Sequence, residues 1–315
     1  AMAFDHSNLL IVHSDPALTL QASLMREEVL DFLWDASLRL MSLTKKCSRH
    51  QRPLRRWLLI ATHDLPQCFF YRVEQKQEQL QSLGCECRIA TREQLNDWAW
   101  SEQLIWADAV MVCRLPAFYS VLRAIAASRH AGLPVFYDID DLIIDPDFSP
   151  PELSTYGGTL GEEQHRRFIL DVPLFGAAIS ACDMVTVSTA TIAERWTTLQ
   201  QRKGRDQPVH ILPNLAPPAL RRESQAPLPA RPQDPIRLVF ASGTTAHKHV
   251  WSAELAPALA MILERYPNVR LDLIGYLQLP IVLQVFSDRI RCRPYTDYQQ
   301  YIEHLSQADI GLVVL

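Results

Sequence analysis

Short apolar runs alternate with stretches of helical periodicity along most of the chain. In residues 51–215, apolar runs of strand length are separated by segments in which apolar positions recur at helical spacing. Strands that alternate with helices are typical of β-α-β units, so this pattern predicts a parallel sheet covered on both faces. The strands are predicted at residues 57–62, 85–90, 108–114, 134–140, 183–188 and 208–214.

A second alternating unit follows a proline-rich segment. Residues 216–235 are rich in proline and have almost no periodicity, which is typical of an extended interdomain linker. We therefore predict an α/β protein with two Rossmann-like parallel-sheet domains, at residues 51–215 and 236–315, that face a cleft. In the second domain the strands are predicted at residues 236–242, 269–275, 289–294 and 308–315.

The two ends of the sequence fit this scheme less well. Residues 1–50 belong to neither unit and are predicted to form an N-terminal extension, with one long helix near residues 18–43. The last run, ADIGLVVL at residues 308–315, is predicted to be a buried parallel strand. Because the sequence stops on this strand, the second domain is predicted to be incomplete.

Composition excludes several classes of protein. The 315 residues carry a net charge of −4, which argues against a nucleic-acid partner. The 7 cysteines are odd in number and include no C-x-x-C pair, so we expect reduced thiols in a cytoplasmic protein without a structural zinc site. Only 10 glycines are present, so a glycine-rich phosphate loop is not expected.

Four aspartates cluster where the fourth predicted strand ends. Asp138, Asp140, Asp141 and Asp145 lie within one short segment, and ligands of open α/β sheets bind at the carboxyl ends of the strands. The D-x-D spacing of Asp138 and Asp140 suits a metal-dependent sugar-nucleotide site or a polar wall for the hydroxyls of an acceptor. The alternative is structural, because aspartate commonly caps turns and helix starts.

The loop after the first strand of the second domain is another candidate site. Its sequence, SGTTAHKH at residues 242–249, places hydroxyl residues and cations between a strand and a helix. Loop N–H groups, hydroxyls and a helix N-terminus together favour a bound phosphate. The P-loop and G-x-G-x-x-G patterns are absent, so a capped helix with surface cations remains the alternative. The predicted anion-binding residues are Ser242, Gly243, Thr244, Thr245, His247 and Lys248.

Basic residues at other strand and helix ends complete the candidate chemistry. Tyr71 and Arg72 begin the helix after the first strand, and Arg114 ends the third strand. Both places lie at the sheet edge where an acceptor or phosphate binds, although an aromatic staple with an exposed cation is an equally simple interpretation. Residues 45–57 carry six Lys or Arg and suit either an anionic membrane surface or a solvated linker.

Taken in order, these stretches resemble family-4 glycosyltransferases of the GT-B fold, of the bacterial kind that builds cell-surface polysaccharides. The most specific stretch is RLPAFYSVLRAIAASRHAGLPVFYDIDDLIID at residues 114–145. The YR pair precedes it, and ACDMVTVST, ILPN, SGTTAHKH, VRLDLIG and ADIGLVVL follow. The resemblance covers roughly residues 56–315 in the same order, and this collinearity is more specific than any single motif.

The resemblance implies a retaining glycosyltransferase without a metal or other cofactor, whose donor is a nucleotide-diphosphate sugar. The acceptor would be a growing glycan or a lipid-linked molecule, and polysaccharide assembly implies a cytoplasmic protein in peripheral contact with the inner membrane face. Asp138 and Lys248 are then expected to be catalytic, with Lys248 and the other residues of the SGTTAHKH loop at the diphosphate. The acceptor side would include Tyr71, Arg72, Arg114, Asp140 and Asp141.

Two departures from the family qualify this prediction. The sequence ends at Leu315, before the glutamate-rich loop that binds the donor's ribose and sugar, so an incomplete donor site with little transfer activity is expected. Val250 stands where family members often carry an aspartate. An inactive transferase-like interaction module of a larger polysaccharide-synthesis protein is therefore the alternative. A metal-dependent GT-A transferase is disfavoured by the second predicted sheet.

Overall fold

The computed structural model of this chain describes residues 53–63, 66–96, 100–156, 160–216, 235–243 and 250–313. The predicted N-terminal extension, nearly all of the predicted linker and residues 244–249 of the predicted anion loop lie outside these ranges. The described residues form two parallel sheets, of six and four strands, with helices between the strands. The prediction of an α/β protein with two parallel sheets is therefore confirmed.

The first sheet is built from β1 (Arg56–Ala61), β2 (Glu86–Thr91), β3 (Ala109–Cys113), β4 (Val135–Ile139), β5 (Met184–Val187) and β6 (Val209–Ile211). The spatial order is β2-β1-β3-β4-β5-β6, with every neighbouring pair parallel. Strand order reverses at β1, so the carboxyl ends of β1 and β3 form the topological switch point of this sheet. Open α/β sheets bind their ligands at such a point.

The second sheet is built from β7 (Ile236–Ser242), β8 (Val269–Gly275), β9 (Ile290–Arg293) and β10 (Ile310–Leu312). Their spatial order is β10-β7-β8-β9, and all three pairs are parallel. Strand order reverses at β7, so the second switch point lies between the carboxyl ends of β7 and β10. The predicted anion loop starts there, because Ser242 ends β7.

Helices provide the crossovers that parallel strands require. Thr189 and Asp297 begin two of them, since their side-chain oxygens accept hydrogen bonds from the backbone N–H groups of Ile192 and Gln300. None of the described helices is long and apolar enough to cross a membrane. The helices are α1 (Pro66–Phe69), α2 (Gln75–Ser82), α3 (Trp100–Trp106), α4 (Tyr119–His130), α5 (Glu162–Ala181), α6 (Ala190–Arg202), α7 (Ala256–Arg265), α8 (Ile281–Gln284) and α9 (Tyr298–Ser306), with π-helical turns at Phe70–Glu74 and Trp251–Leu255.

Both faces of the first sheet are buried at its central strands, as their continuous apolar runs predict. Successive side chains of a strand point to opposite faces, and in β1 Leu58 and Ile60 join one hydrophobic cluster while Leu59 and Ala61 join another. All four side chains are buried. The centre of the sheet is thus the middle layer of three, whereas the edge strands β2 and β6 keep exposed side chains.

The anion loop of the second sheet is anchored at its far end by a tryptophan. The buried Trp251 ring stacks on Phe240 of β7 with a centroid distance of 5.2 Å. The indole N–H also donates to the backbone oxygen of Gln278 at 2.8 Å. The helix that follows the loop is therefore fixed to the strand that precedes it.

The boundaries of β7 and β8 follow the predictions, but the predicted burial of the last strand does not hold. The predicted strands at 236–242 and 269–275 coincide with β7 and β8. The prediction that the last strand is buried is wrong, because Ile310 and Gly311 are exposed. Among the described strands, β10 lies at an edge and pairs with β7 alone.

Candidate functional site

The residue after β3 has an unusual backbone conformation at the switch point of the first sheet. Arg114 has a φ of 51°, in the left-handed region that side chains other than glycine rarely adopt. Its backbone N–H donates to the carbonyl oxygen of Asp138 at 2.9 Å, which joins the ends of β3 and β4. Strained residues of this kind cluster at functional sites, so this edge is a candidate binding site.

Arg114 pairs with both aspartates that follow β4. Its Nη1 lies 3.4 Å from Oδ1 of Asp140 and also donates to Oδ2 of Asp141. Burial is the largest influence on the pKa of Arg114 and lowers it, but Asp141, Cys68 and Asp140 together raise this pKa above its ordinary value. Burial and the nearby Asp141 raise the pKa of Asp140. The structure thus brings together three of the predicted acceptor-side residues in one partly buried cluster.

Asp138 lies in a separate and fully buried cluster. Its carboxylate receives a two-pronged hydrogen bond from Arg72, with Nε 2.8 Å from Oδ2 and Nη2 2.6 Å from Oδ1. Lys76 Nζ lies 3.2 Å from Oδ1, and the Thr186 hydroxyl donates to the same oxygen. Arg72, Lys76 and Asp138 are 2%, 5% and 0% exposed. Two cations therefore share one carboxylate inside the protein.

Helical spacing explains why both cations reach Asp138. Arg72 and Lys76 are four residues apart, so they lie on the same face of the helix that follows β1. Arg72 also donates from Nη1 to the Leu212 oxygen at 2.8 Å and to Asn214 Oδ1 at 3.0 Å. Burial lowers the pKa of Arg72, but Asp138 outweighs it and the pKa is raised. Arg72 thereby ties β4 to the segment that follows β6.

This burial bears on the roles predicted for Asp138 and Arg72. Asp138 has no exposed surface and accepts from three donors, and the guanidinium nitrogens of Arg72 all bond to protein groups. Neither side chain is presented to a ligand in this arrangement. The geometry favours a positioning role, in which the pair holds the strand ends that carry Arg114 and Asp140, and the catalytic role of Asp138 stays a prediction.

Aromatic contacts connect the helix that follows β1 to helix α9 of the second half of the chain. The Phe70 ring lies 4.6 Å from the Tyr298 ring at the start of α9 and packs edge-on against Tyr71 at 5.1 Å. Burial raises the pKa of Tyr298 and of Tyr301, and Tyr71 adds to both shifts. The predicted acceptor-side residue Tyr71 therefore lies between the helix that follows β1 and helix α9, which precedes β10.

Cys68 adds a thiol to the Arg114 cluster. Its Sγ and one carboxylate oxygen each of Asp140 and Asp141 lie within 4.8 Å of one another. Oxygen ligands of this kind suit a divalent cation, but the guanidinium of Arg114 already pairs with both carboxylates. This internal cation favours the metal-free interpretation of the first-sheet edge.

A close backbone approach fixes the edge of the second sheet. Gly275 has a φ of 101°, and a Cβ at this position would lie 2.1 Å from the Ser242 oxygen. Only glycine fits there, and the same oxygen accepts a hydrogen bond from the N–H of Tyr276 at 3.0 Å. The ends of β7 and β8 are therefore locked together where the anion loop begins.

The predicted anion-binding residues divide into two groups. Ser242 is buried at the end of β7, and Gly243 follows it at the surface. Thr244, Thr245, His247 and Lys248 lie outside the described residues, so their contact with an anion stays a prediction.

Two tyrosines that the sequence analysis did not single out lie beside Gly243. Tyr276 and Tyr295 follow β8 and β9, and their rings stack at 5.4 Å with an interplanar angle of 22°. They are 53% and 47% exposed, and a Cβ on Gly243 would lie 3.8 Å from the Tyr295 ring. A tyrosine within two residues of the end of each of two successive predicted strands was the signal available in the sequence.

Lys76 and Thr186 were also missed. Lys76 is found from the sequence by extending the face of Arg72 by one helical turn, because helical residues four apart share a face. Thr186 is a single hydroxyl within an apolar strand, and its partner became evident only from the pairing of β4 with β5.

Comparisons with known proteins show only a distant likeness. No protein-family model and no curated protein sequence matches this chain. UDP-GlcNAc 2-epimerase from Neisseria meningitidis bound to UDP-GlcNAc is 11% identical, with 81% of this chain and 76% of that chain covered and a TM-score of 0.41. The S. aureus MnaA–UDP structure is 10% identical, with 82% and 73% covered and a TM-score of 0.43.

A third solved structure, a UDP-glucosyltransferase from Polygonum tinctorium capable of glucosylating indoxyl, is 11% identical. The match covers 81% of this chain and 75% of the glucosyltransferase chain, with a TM-score of 0.38. At these identities and scores the likeness is confined to the general arrangement of strands and helices, and no functional conclusion follows from it.

Proposed function

We propose that this protein is a glycosyltransferase that moves a sugar from a nucleotide-diphosphate sugar to a growing glycan or lipid-linked acceptor. The donor binds at the carboxyl edge of the second sheet, and the acceptor binds at that of the first. The resemblance of the sequence motifs to family-4 glycosyltransferases supplies the reaction class.

One observation carries the proposal. The SGTTAHKH loop leaves β7 at the switch point of the second sheet, where α/β sheets bind ligands. Its near end is fixed by the contact of Gly275 with Ser242, and its far end by the stack of Trp251 on Phe240. A segment that is rich in hydroxyls and cations, and whose flanking residues are fixed on both sides, is suited to hold a diphosphate in one place.

Charge stabilisation is the main chemistry that such a loop offers. As the bond between sugar and diphosphate breaks, negative charge grows on the leaving diphosphate, and Lys248 and His247 lower the energy of that state. The leaving diphosphate itself accepts the proton of the acceptor hydroxyl, whose oxygen bonds to the anomeric carbon on the face that the diphosphate leaves. The anomeric configuration is thereby retained without a protein base. This route needs no metal, which agrees with the pairing of Asp140 and Asp141 by Arg114.

The first-sheet edge has the complementary task of holding the acceptor. Arg114, Asp140 and Asp141 offer donors and acceptors of hydrogen bonds to hydroxyl groups, and the half-buried Tyr71 adds a ring. Asp138 and Arg72 position this edge from within. The six Lys or Arg of residues 45–57 support a peripheral contact of the protein with the inner membrane face, because an anionic leaflet attracts basic side chains.

The test is a calorimetric titration of the chain with UDP-, GDP-, dTDP- and CMP-sugars. We expect one nucleotide to bind selectively and Lys248→Ala to weaken that binding at least ~10-fold, because one charge-assisted contact to a phosphate is lost. Lys203→Ala, an exposed lysine at the end of α6, is the matched control and should bind as the wild type does. Equal affinity of the wild type and Lys248→Ala would reject the donor site, and would leave the interaction module as the better interpretation.

A further inference from the structure

We propose that Tyr276 and Tyr295 form a stacking platform for the base of the nucleotide that the second sheet binds. This inference rests on the proposed function and extends it from the diphosphate to the base. It assigns a ligand-contacting role to two residues that the sequence motifs do not include.

The geometry of the pair is that of an open aromatic stack. A centroid distance of 5.4 Å and an angle of 22° between the rings correspond to an offset stacked arrangement. Both rings remain about half exposed. A planar heterocycle can continue such a stack, and aromatic side chains bind bases of every kind in this way.

The position of the pair relative to the anion loop fits a nucleotide. Tyr276 directly follows Gly275, whose backbone is pressed against Ser242, and a Cβ on Gly243 would lie 3.8 Å from the Tyr295 ring. The platform and the first residues of the SGTTAHKH loop are therefore neighbours at one sheet edge. In a nucleoside diphosphate one ribose separates the base from the phosphates, so adjacent sites for a ring and an anion are what this ligand requires.

Other aromatic pairs near the second sheet have roles inside the protein. The Phe240–Trp251 stack is buried in the core, and Tyr298 packs against Phe70 of the first-sheet half. Tyr266 is 46% exposed and lies at the end of α7, at the amino edge of the sheet. The guanidinium carbon of Arg265 lies 5.5 Å from the centre of its ring. Tyr276 and Tyr295 differ because they stack on each other at the carboxyl edge.

The experiment measures the affinity of the full chain for UDP, GDP and inorganic pyrophosphate by calorimetry. We expect Tyr295→Leu and Tyr276→Leu to weaken UDP or GDP binding ~10-fold, the usual scale for loss of one base stack, and to leave pyrophosphate binding unchanged. Tyr295→Phe keeps the ring and should retain wild-type affinity. Tyr266→Leu removes an equally exposed tyrosine from the opposite edge and is the matched control.

Three results would overturn the platform. If nucleotide binding depends on Lys248 but not on either tyrosine, the proposed function stands and the platform is wrong. If the leucine variants weaken pyrophosphate and nucleotide binding equally, the tyrosines act by holding the loop and not by stacking on a base. If the wild type binds neither nucleotides nor pyrophosphate, the proposed function itself fails together with the platform.

Discussion

The two sheets present very different carboxyl edges. At the first edge, charged side chains pair with one another over long sequence distances, as Arg72 does with Asp138 and Arg114 with Asp141. At the second edge, a backbone contact through Gly275 fixes the strand ends, and two half-exposed tyrosines lie beside it. The carboxyl edge of a parallel sheet can thus be held in place in two ways. Ion pairs hold the first edge, and a close backbone contact holds the second.

Under the proposed function, this difference corresponds to two different ligands. The first edge satisfies most of its own charges, so a neutral, hydroxyl-rich acceptor suits it better than a second phosphate. The second edge lacks such internal compensation among its described residues, and its loop carries cations and hydroxyls. A ligand with a negative diphosphate and a planar base complements that edge.

The largest effect is expected from neutralising Asp138. Asp138→Asn leaves Arg72 and Lys76 buried without their shared carboxylate, and a buried charge that loses its partner costs about 3–5 kcal/mol. Urea unfolding should show this loss for the first sheet. Glu163→Gln, which breaks the exposed Glu163–Arg167 pair, is the control and should cost under ~1 kcal/mol. Equal stability of the two variants would show that the first edge is not organised by buried charge.

A comparable test of the second edge is Gly275→Ala. The added Cβ would lie 2.1 Å from the Ser242 oxygen at a φ of 101°, so β7 and β8 must separate. We expect a loss of about 3 kcal/mol and weaker nucleotide binding. Gly311→Ala is the control, because a Cβ there meets nothing within 4 Å. Unchanged nucleotide affinity in Gly275→Ala would mean that this backbone contact does not organise the donor site.

Removing the second cation should cost less than removing the carboxylate. Lys76→Met keeps the two-pronged Arg72–Asp138 pair and most of the buried chain of Lys76. We therefore expect a loss of about 1–2 kcal/mol in urea unfolding, the scale of one hydrogen bond to a charged group. A loss as large as that of Asp138→Asn would show that Lys76, and not Arg72, is the main partner of Asp138.

The smallest expected effect concerns Asp140 and depends on pH. Burial and the nearby Asp141 raise the pKa of Asp140 above its ordinary value of 3.8, so ionisation of Asp140 opposes folding. The favourable contribution of the protonated form is complete below that ordinary value and is lost as the pH rises through the raised pKa.

Asp140→Asn should therefore be slightly more stable than the wild type at pH 7, and the two should converge below about pH 4. Thermal unfolding across this pH range measures the difference. Lower stability of Asp140→Asn at pH 7 would show that the Arg114 pair outweighs the cost of burying the carboxylate.

The sequence predicted the sheets better than it predicted the contacts at their edges. Alternation of apolar runs and helical stretches is local, so strands such as β7 and β8 were found with their observed bounds. The partner of Arg72 is 66 residues away in sequence, and the order of β3, β4 and β5 decides which residues meet. The Tyr276–Tyr295 stack likewise depends on β8 and β9 being neighbours.

Local pattern also failed to predict the environment of β10. Its apolar residues indicated a buried strand, but burial depends on what lies on both sides of a strand, and Ile310 is exposed at an edge of the described sheet. The same limit applies to Asp138, because no local feature of the sequence shows that this aspartate is buried.

The most direct test of whether the donor and the acceptor bind at different edges is hydrogen–deuterium exchange. It is measured with and without the nucleotide sugar that the titration selects. Peptides that cover Ser242–Trp251, Tyr276 and Tyr295 should be protected by the donor, because it binds at the second edge. Peptides that cover Arg114 and Asp138–Asp141 should exchange as before until an acceptor is added. Protection of the Arg114 peptides by the nucleotide sugar alone, with no change at Ser242–Trp251, would contradict this account.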